Sequence, residues 1–305
     1  MRFFLARFFC LVLTILSIAT SAQSLTCKIN VNDTGRTYHI SIPTNLDNSK
    51  TYPLVIVLHG GGGIGSNMPR FTHFNDLAEK EKFIVCYPDG YHRGWNDHRA
   101  GGKLPSRADD VKFISMLIDE LIKNYKSDPK RVFITGISNG AIMSLFLAQE
   151  LSNKIRGIAA VCGSIPENYA SNYHISNPIS VMIINGTDDH LVKYDGGPVL
   201  FEYSDRGAVI PTDSTIQKIL HQLPCYGQPD VYNFPDINEQ DESHAIKYTF
   251  KNCAGKTQVV LIKVIGGGHT WPGGPQYDPK LIIGNVCRDF NATDEIWKFF
   301  KQQTY

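Results

Sequence analysis

Six short apolar runs, each of strand length, constrain this chain more than any other feature. Leu54, Val55, Ile56, Val57 and Leu58 are continuous and rich in β-branched types, the pattern of a strand covered on both faces. Residues 83–87, 132–135, 158–162, 179–184 and 259–265 repeat it. Among these runs the apolar period lengthens to that of a helix over 71–82, 109–125 and 138–151. In the second, Val111, Phe113, Ile114, Leu117, Ile118, Leu121 and Ile122 make one stripe, with Asp109 or Asp110 placed to cap it. Strands alternating with helices predict βαβ units, hence an α/β fold whose mostly parallel central sheet carries helices on both faces. Tyr38, Ile40 and Ile42 alternate with polar residues, which predicts an antiparallel edge strand ahead of the parallel part.

At 305 residues the chain fits one large α/β unit, and a single domain is expected over 23–305. Residues 195–258 are rich in Gly, Pro, Asp and Asn and are expected to form an irregular excursion above the sheet, with one helix near 214–223. A last helix is expected over about 293–301. Residues 1–22 have the form of a secretory signal peptide: Arg2 and Arg7, an apolar run over 8–18, and small residues at Thr20, Ser21 and Ala22. Secretion or a periplasmic location follows as an expectation, with no membrane association after cleavage. The composition, 42% hydrophobic and 19% charged, excludes a disordered chain, and a net charge of +1 supplies no basic excess for nucleic acid.

Outside the leader stand six cysteines: Cys27, Cys86, Cys162, Cys225, Cys253 and Cys287. An even number in an exported chain permits three disulfides, and spacing does not choose among the pairings. Cys86 and Cys162 lie in apolar runs and read equally well as buried thiols. The lack of a C-x-x-C pair argues against a redox or structural zinc centre, and the expected chemistry needs no metal or cofactor.

Gly136-Ile137-Ser138-Asn139-Gly140 is a G-x-S-x-G set between a predicted strand and a predicted helix. Glycines permit a sharp turn with the serine at its apex, and the helix start behind it offers free N–H groups to an oxyanion. His59-Gly60-Gly61-Gly62-Gly63 follows the strand 54–58 and is a candidate for the second oxyanion donor. Gly60 or Gly61 is the first donor and the Asn139 N–H the second, with His59 bracing the loop. A phosphate loop is set aside because no Gly-Lys-[Ser/Thr] follows. A serine hydroxyl needs a base, and His269 lies on a glycine-rich, flexible loop after the last core strand, from which its ring can swing over the serine. Asp188 and Asp189, after the strand 179–184, are both candidates for the carboxylate that orients it, with Asp195 a weaker third.

These pieces resemble the secreted polyhydroxybutyrate depolymerase and feruloyl esterase branch of the α/β-hydrolases. The matching segments are Leu58-His59-Gly60, Tyr87-Pro88-Asp89-Gly90, Trp95-Asn96, Asp109-Asp110-Val111, the G-x-S-x-G set, Asn185-Gly186-Thr187-Asp188-Asp189, and Gly267-Gly268-His269-Thr270-Trp271-Pro272-Gly273-Gly274. The resemblance implies the α/β-hydrolase fold, Ser138 as catalytic serine and His269 as its histidine. Its Gly-Thr-x spacing implies Asp189 rather than Asp188 as the acid. It also implies a Cys225–Cys253 disulfide. Trp95 and Trp271 offer aromatic walls for an acyl pocket, with core packing as the equal alternative. Two departures leave substrate identity open: Asn185 stands where the family commonly has histidine, and His190-Leu191-Val192-Lys193 replaces a Pro-x-Val-Pro stretch. No polymer-binding module is recognisable, which favours a soluble ester.

The expected activity is hydrolysis of carboxylic esters of feruloyl, acetyl or hydroxyalkanoate type, small or oligomeric, through an acyl-enzyme. A serine peptidase on the same fold and a secreted binding protein without turnover are the competing readings.

Overall fold

The computed structural model describes residues 23–100, 108–201 and 204–303. The leader expected over 1–22 lies outside the described residues. The strands, in chain order, are β1 (Gln23–Val31), β2 (Thr34–Ile42), β3 (Tyr52–Leu58), β4 (Ile84–Pro88), β5 (Ser127–Ile137), β6 (Gly157–Val161), β7 (Ser180–Gly186), β8 (Gly197–Phe201), β9 (Ser204–Val209), β10 (Asp230–Asn233), β11 (His244–Cys253) and β12 (Thr257–Ile265). The helices are α1 (Met68–Thr72), α2 (Phe74–Glu81), α3 (Asp110–Asn124), α4 (Asn139–Glu150), α5 (Glu167–Ala170), α6 (Thr212–Gln222), α7 (Lys280–Ile283) and α8 (Ala292–Lys301).

One sheet runs in the order β1-β2-β4-β3-β5-β6-β7-β12-β11-β10. Its centre, from β4 to β12, is parallel, and antiparallel pairs flank it on both sides. The continuous apolar runs follow from this. Leu54, Ile56 and Leu58 of β3 pack with Phe113 and Leu117 of α3 and Leu145 of α4 on one face. Val55 and Val57 pack with Phe74 of α2 and Ile296 and Phe300 of α8 on the other. A strand so covered has no polar side to alternate with. Asp109 caps α3, its side chain accepting the Lys112 N–H at 3.0 Å.

Three expectations are corrected. The helix predicted over 71–82 breaks into α1 and α2 at His73, whose φ of 59° is left-handed. The strand containing Tyr38, Ile40 and Ile42 is not the edge, because β1 pairs along its outer side. Residues 195–258 are not an irregular excursion. They form the β8–β9 hairpin, α6, and the strands β10 and β11, which extend the central sheet beyond β12. Among the described residues, no helix is long and apolar enough to cross a membrane.

Cys225 and Cys253 are joined as a disulfide, while Cys27, Cys86, Cys162 and Cys287 are free thiols. The bond ties the segment after α6 to the end of β11, near the start of β12. It closes a loop of sequence separation 28, for which chain-entropy reasoning gives roughly 3–4 kcal/mol. Replacing both cysteines by serine should lower Tm by roughly 6–12 °C. Ester turnover, expected from the sequence to depend on His269, should be unchanged at room temperature, since His269 follows the opposite end of β12. Thermal denaturation paired with an ester assay checks both.

Candidate active site

At the carboxyl end of β5 the chain turns into α4 through Ser138, whose backbone is strained at φ 57° and ψ −123°. The glycines around it are required by close approach. A Cβ on Gly136 would meet the Gly140 carbonyl at 2.7 Å, and one on Gly140 would meet the Leu58 carbonyl at 2.5 Å. Helix α4 can therefore press against β3 and β5 only with glycine at both positions. The Ser138 N–H is anchored on the Val161 carbonyl of β6 at 2.9 Å. Asn139, next in the chain, opens α4, where N–H groups have no intrahelical acceptor.

The glycine loop after β3 runs alongside this turn. A Cβ on Gly60 would stand 3.5 Å from that of Ser138, and one on Gly61 would stand 3.7 Å from that of Asn139. Both peptides that carry the candidate donors are pinned from their carbonyl ends. The His59 carbonyl accepts the Trp95 indole N–H at 2.9 Å. The Gly60 carbonyl accepts the Gly63 N–H at 3.0 Å and the Nδ1–H of His59 at 2.8 Å. In a trans peptide the N–H opposes the carbonyl, so the N–H groups of Gly60 and Gly61 are directed as firmly as the oxygens are held. His59 Nε2 accepts the Gly90 N–H at 2.9 Å, which places the ring proton on Nδ1.

Burial lowers the His59 pKa and keeps the ring neutral. The unfolded chain then takes up a proton below about pH 6.5 that the native state resists, so native stability is present above that pH and falls on acidification. His59→Ala removes both ring bonds and should reduce kcat by roughly 10- to 100-fold, with KM nearly unchanged; steady-state kinetics checks the split.

Asn139 does more than open the helix. Its carboxamide clamps Trp95, accepting the Trp95 N–H at 2.8 Å and donating to the Trp95 carbonyl at 3.0 Å, and also donates to Asp97 Oδ2 at 2.7 Å. Asp97 is in turn paired with Arg99 at 2.8 Å, both buried. Asp97 and Arg99 escaped the sequence reading, although they directly follow the Trp95-Asn96 match. Trp95 is fully buried with its polar groups spent on this frame. Trp271 is buried among Phe71 and Phe74, its N–H donating to Thr293 Oγ1 at 3.1 Å. For both tryptophans the surroundings are those of packing, the alternative to an acyl-pocket wall.

Asp189 and His269 are brought together from β7 and β12, neighbours in the sheet. The His269 Nδ1–H donates to Asp189 Oδ2 at 2.7 Å, and both side chains are buried. Asp189 Oδ1 accepts the N–H groups of Leu191 and Val192, each at 2.8 Å. The proton on Nδ1 leaves the Nε2 lone pair of His269 free to act as a base. Asp188 and Asp195 are exposed, and Asp188 accepts only a local bond from the Thr187 hydroxyl at 2.8 Å. The loop expected to swing is instead tied down. The His269 N–H donates to the Ile283 carbonyl at 2.5 Å, and its carbonyl accepts the Tyr277 hydroxyl at 2.8 Å. Tyr277 had no sequence signal, because its role depends on the chain folding back after the glycines. Asn185, the departure from histidine, bonds Gly163 in both directions at 3.0 Å and donates to Thr212 Oγ1 at 2.8 Å, joining the end of β6 to α6.

A family model described as phospholipase/carboxylesterase matches residues 44–221. The bifunctional acetylxylan esterase/xylanase XynS20E of Neocallimastix patriciarum is 26% identical over 237 residues, 77% of this chain and 31% of that longer protein. Feruloyl esterase C of Emericella nidulans is 26% identical over 273 residues, 87% of this chain and 84% of that one. In fold, the acetyl xylan esterase of Aspergillus awamori superposes with a TM-score of 0.61 at 15% identity, over 92% of this chain and 99% of that chain. With the mostly parallel sheet and the strand–serine–helix turn already in place, the chain belongs to the phospholipase/carboxylesterase family, within an esterase branch of the α/β-hydrolases, and is a carboxylic ester hydrolase.

Proposed function

We propose that the protein is a secreted serine esterase that works through an acyl-enzyme on Ser138, with His269 as base and Asp189 as its orienting acid. The observation that carries this reading is the ordered pair of Asp189 and a His269 protonated on Nδ1, at the ends of β7 and β12, two and three places along the same parallel sheet from β5, which ends in a strained serine. In the first step Ser138 Oγ attacks the ester carbonyl while His269 Nε2 takes its proton. The N–H groups of Gly60 or Gly61 and of Asn139 receive the oxyanion. His269 then returns the proton to the leaving alcohol. Water repeats the sequence in reverse and releases the acid.

For substrate we propose feruloyl, acetyl or hydroxyalkanoate esters, small or oligomeric. The names of the relatives favour the first two. Beside the His269 loop, Tyr277, Leu281 and Ile282 expose 45%, 89% and 46% of their surface, an apolar margin suited to an aromatic or alkyl acyl group. Secretion is supported by the leader pattern of residues 1–22 and by the disulfide. The test is a panel of methyl ferulate, acetylated xylan and a hydroxybutyrate oligomer, each beside a matched amide. Ester turnover exceeding amide turnover by at least about 100-fold, an order-of-magnitude threshold of about 2.7 kcal/mol in barrier, is the expected result. Comparable rates on the amides would make it a peptidase.

A further inference from the structure

One buried side chain next to the Asp189–His269 pair has no part in the two steps above. Cys162 directly follows β6 and occupies the same place relative to β7 that Ser138, which follows β5, occupies relative to β6. The Ser138 N–H donates to Val161 and the Cys162 N–H donates to Ile184, each at 2.9 Å. Both residues have left-handed backbones, with φ of 57° and 56°. A non-glycine side chain held in that region costs roughly 1 kcal/mol or more and persists where the surroundings impose it. Here they do, because the Asn185 carboxamide grips the next residue, Gly163, through both its N–H and its carbonyl. The turn aims the thiol at the acid–base pair. The sulfur, a carboxylate oxygen of Asp189 and a ring nitrogen of His269 all lie within 4.8 Å of one another.

The Cys162 thiol faces the two carbonyls that flank His269 in sequence. Its S–H donates to the Thr270 carbonyl at 3.2 Å, with the Gly268 carbonyl 3.9 Å away. His269 itself is held through its N–H by Ile283 and through its carbonyl by Tyr277. The thiol thus adds a hold on the residue after it, from the Asp189 side. A nucleophile or metal ligand at this sulfur would have to be the thiolate. Burial and the Asp189 carboxylate push the thiol well above its usual range, which keeps it a neutral donor.

We propose that Cys162 is a positioning residue of this esterase, its thiol holding the Thr270 side of the His269 loop so that the imidazole stays aligned between Asp189 and Ser138. The proposal rests on the Ser138–His269–Asp189 reading. A misplacement of about 1 Å in a catalytic group costs up to roughly 100-fold in rate, and loss of one of several holds on the loop should cost less, since the Gly268 N–H and the Thr270 hydroxyl also bond the Asn285 carbonyl.

The experiment compares Cys162→Ala, Cys162→Ser and Ser138→Ala on p-nitrophenyl acetate, with active sites in the cysteine variants counted by fluorophosphonate titration so that only folded enzyme enters kcat. Cys162→Ala should lower kcat roughly tenfold with KM within about twofold. Cys162→Ser, which keeps a donor, should recover most of that loss. Wild-type kcat in Cys162→Ala would overturn the proposal. So would equal impairment in Cys162→Ser, or a rise in KM with kcat intact. If Ser138→Ala itself retained turnover, the triad reading would fall and this proposal with it. A dead Ser138→Ala beside an unaffected Cys162→Ala would remove the cysteine's role alone.

Discussion

Ser138→Ala should reduce ester turnover by roughly 10⁴- to 10⁶-fold while leaving the fold intact. The hydroxyl is the only atom of the site that can form the acyl bond in the proposed mechanism. Among the described residues no neighbouring group replaces it: the Cys162 thiol is buried, directed at Thr270 and held protonated. The residual rate would come from the pinned Gly60, Gly61 and Asn139 N–H groups acting on a bound ester with water as nucleophile. Alanine at φ 57° carries the same backbone strain as serine, so Tm should move little. Glycine at this position should be as inactive but more stable, because it relieves the strain. Kinetics with p-nitrophenyl acetate and thermal denaturation of both variants test the two halves of the prediction.

The second large effect separates adjacent carboxylates. Asp189→Asn should lower kcat by about 10⁴-fold, whereas Asp188→Asn should stay within about twofold, the range expected of an exposed side chain with one local bond. Asp189 accepts three bonds, two from backbone N–H groups on Oδ1 and one from the imidazole on Oδ2. A carboxamide keeps one acceptor oxygen. If that oxygen stays on the Leu191 and Val192 N–H groups, the NH₂ faces His269 and donates to Nδ1. That moves the ring proton to Nε2 and removes the base from Ser138. Asp188 has no such coupling, since it is exposed and bonded to its neighbour Thr187. Equal losses in the two variants would contradict this assignment.

What was legible in the sequence follows from how each segment is covered. The parallel strands were readable because both faces are buried, as Val55 and Val57 are on one side of β3 and Leu54 and Ile56 on the other. Strands β10 and β11 were not, because their identity comes from pairing outward from β12. All four residues of β10 are exposed and only two of the ten in β11 are buried, so neither presents a clear apolar period. Strand β1 did carry a signal, with Leu25, Cys27, Ile29 and Val31 alternating with polar residues, but a segment directly behind a leader pattern is easily read as its margin.

In the site, Ser138 and His269 stood out because glycine motifs mark the places where backbone must approach backbone. The residues alone left Asp188 and Asp189 open, because burial by the turn after β7 distinguishes them and that is a tertiary property; the preference for Asp189 came from the resemblance. The frame around Asn139, Asp97 and Arg99 was invisible for the same reason, since its hydrogen bonds join positions about 40 residues apart. Cys162 looked like one more member of an apolar run; its φ of 56° and the neighbouring Asn185 clamp give it a direction that residue type alone does not encode.

The most direct test of the central claim is to inactivate the native enzyme with a fluorophosphonate and locate the adduct by peptide mass spectrometry. The account predicts a single phosphonate on Ser138, formed in step with the loss of esterase activity. Full ester turnover in protein that carries no adduct, or an adduct on another residue that tracks the loss of activity, would contradict it.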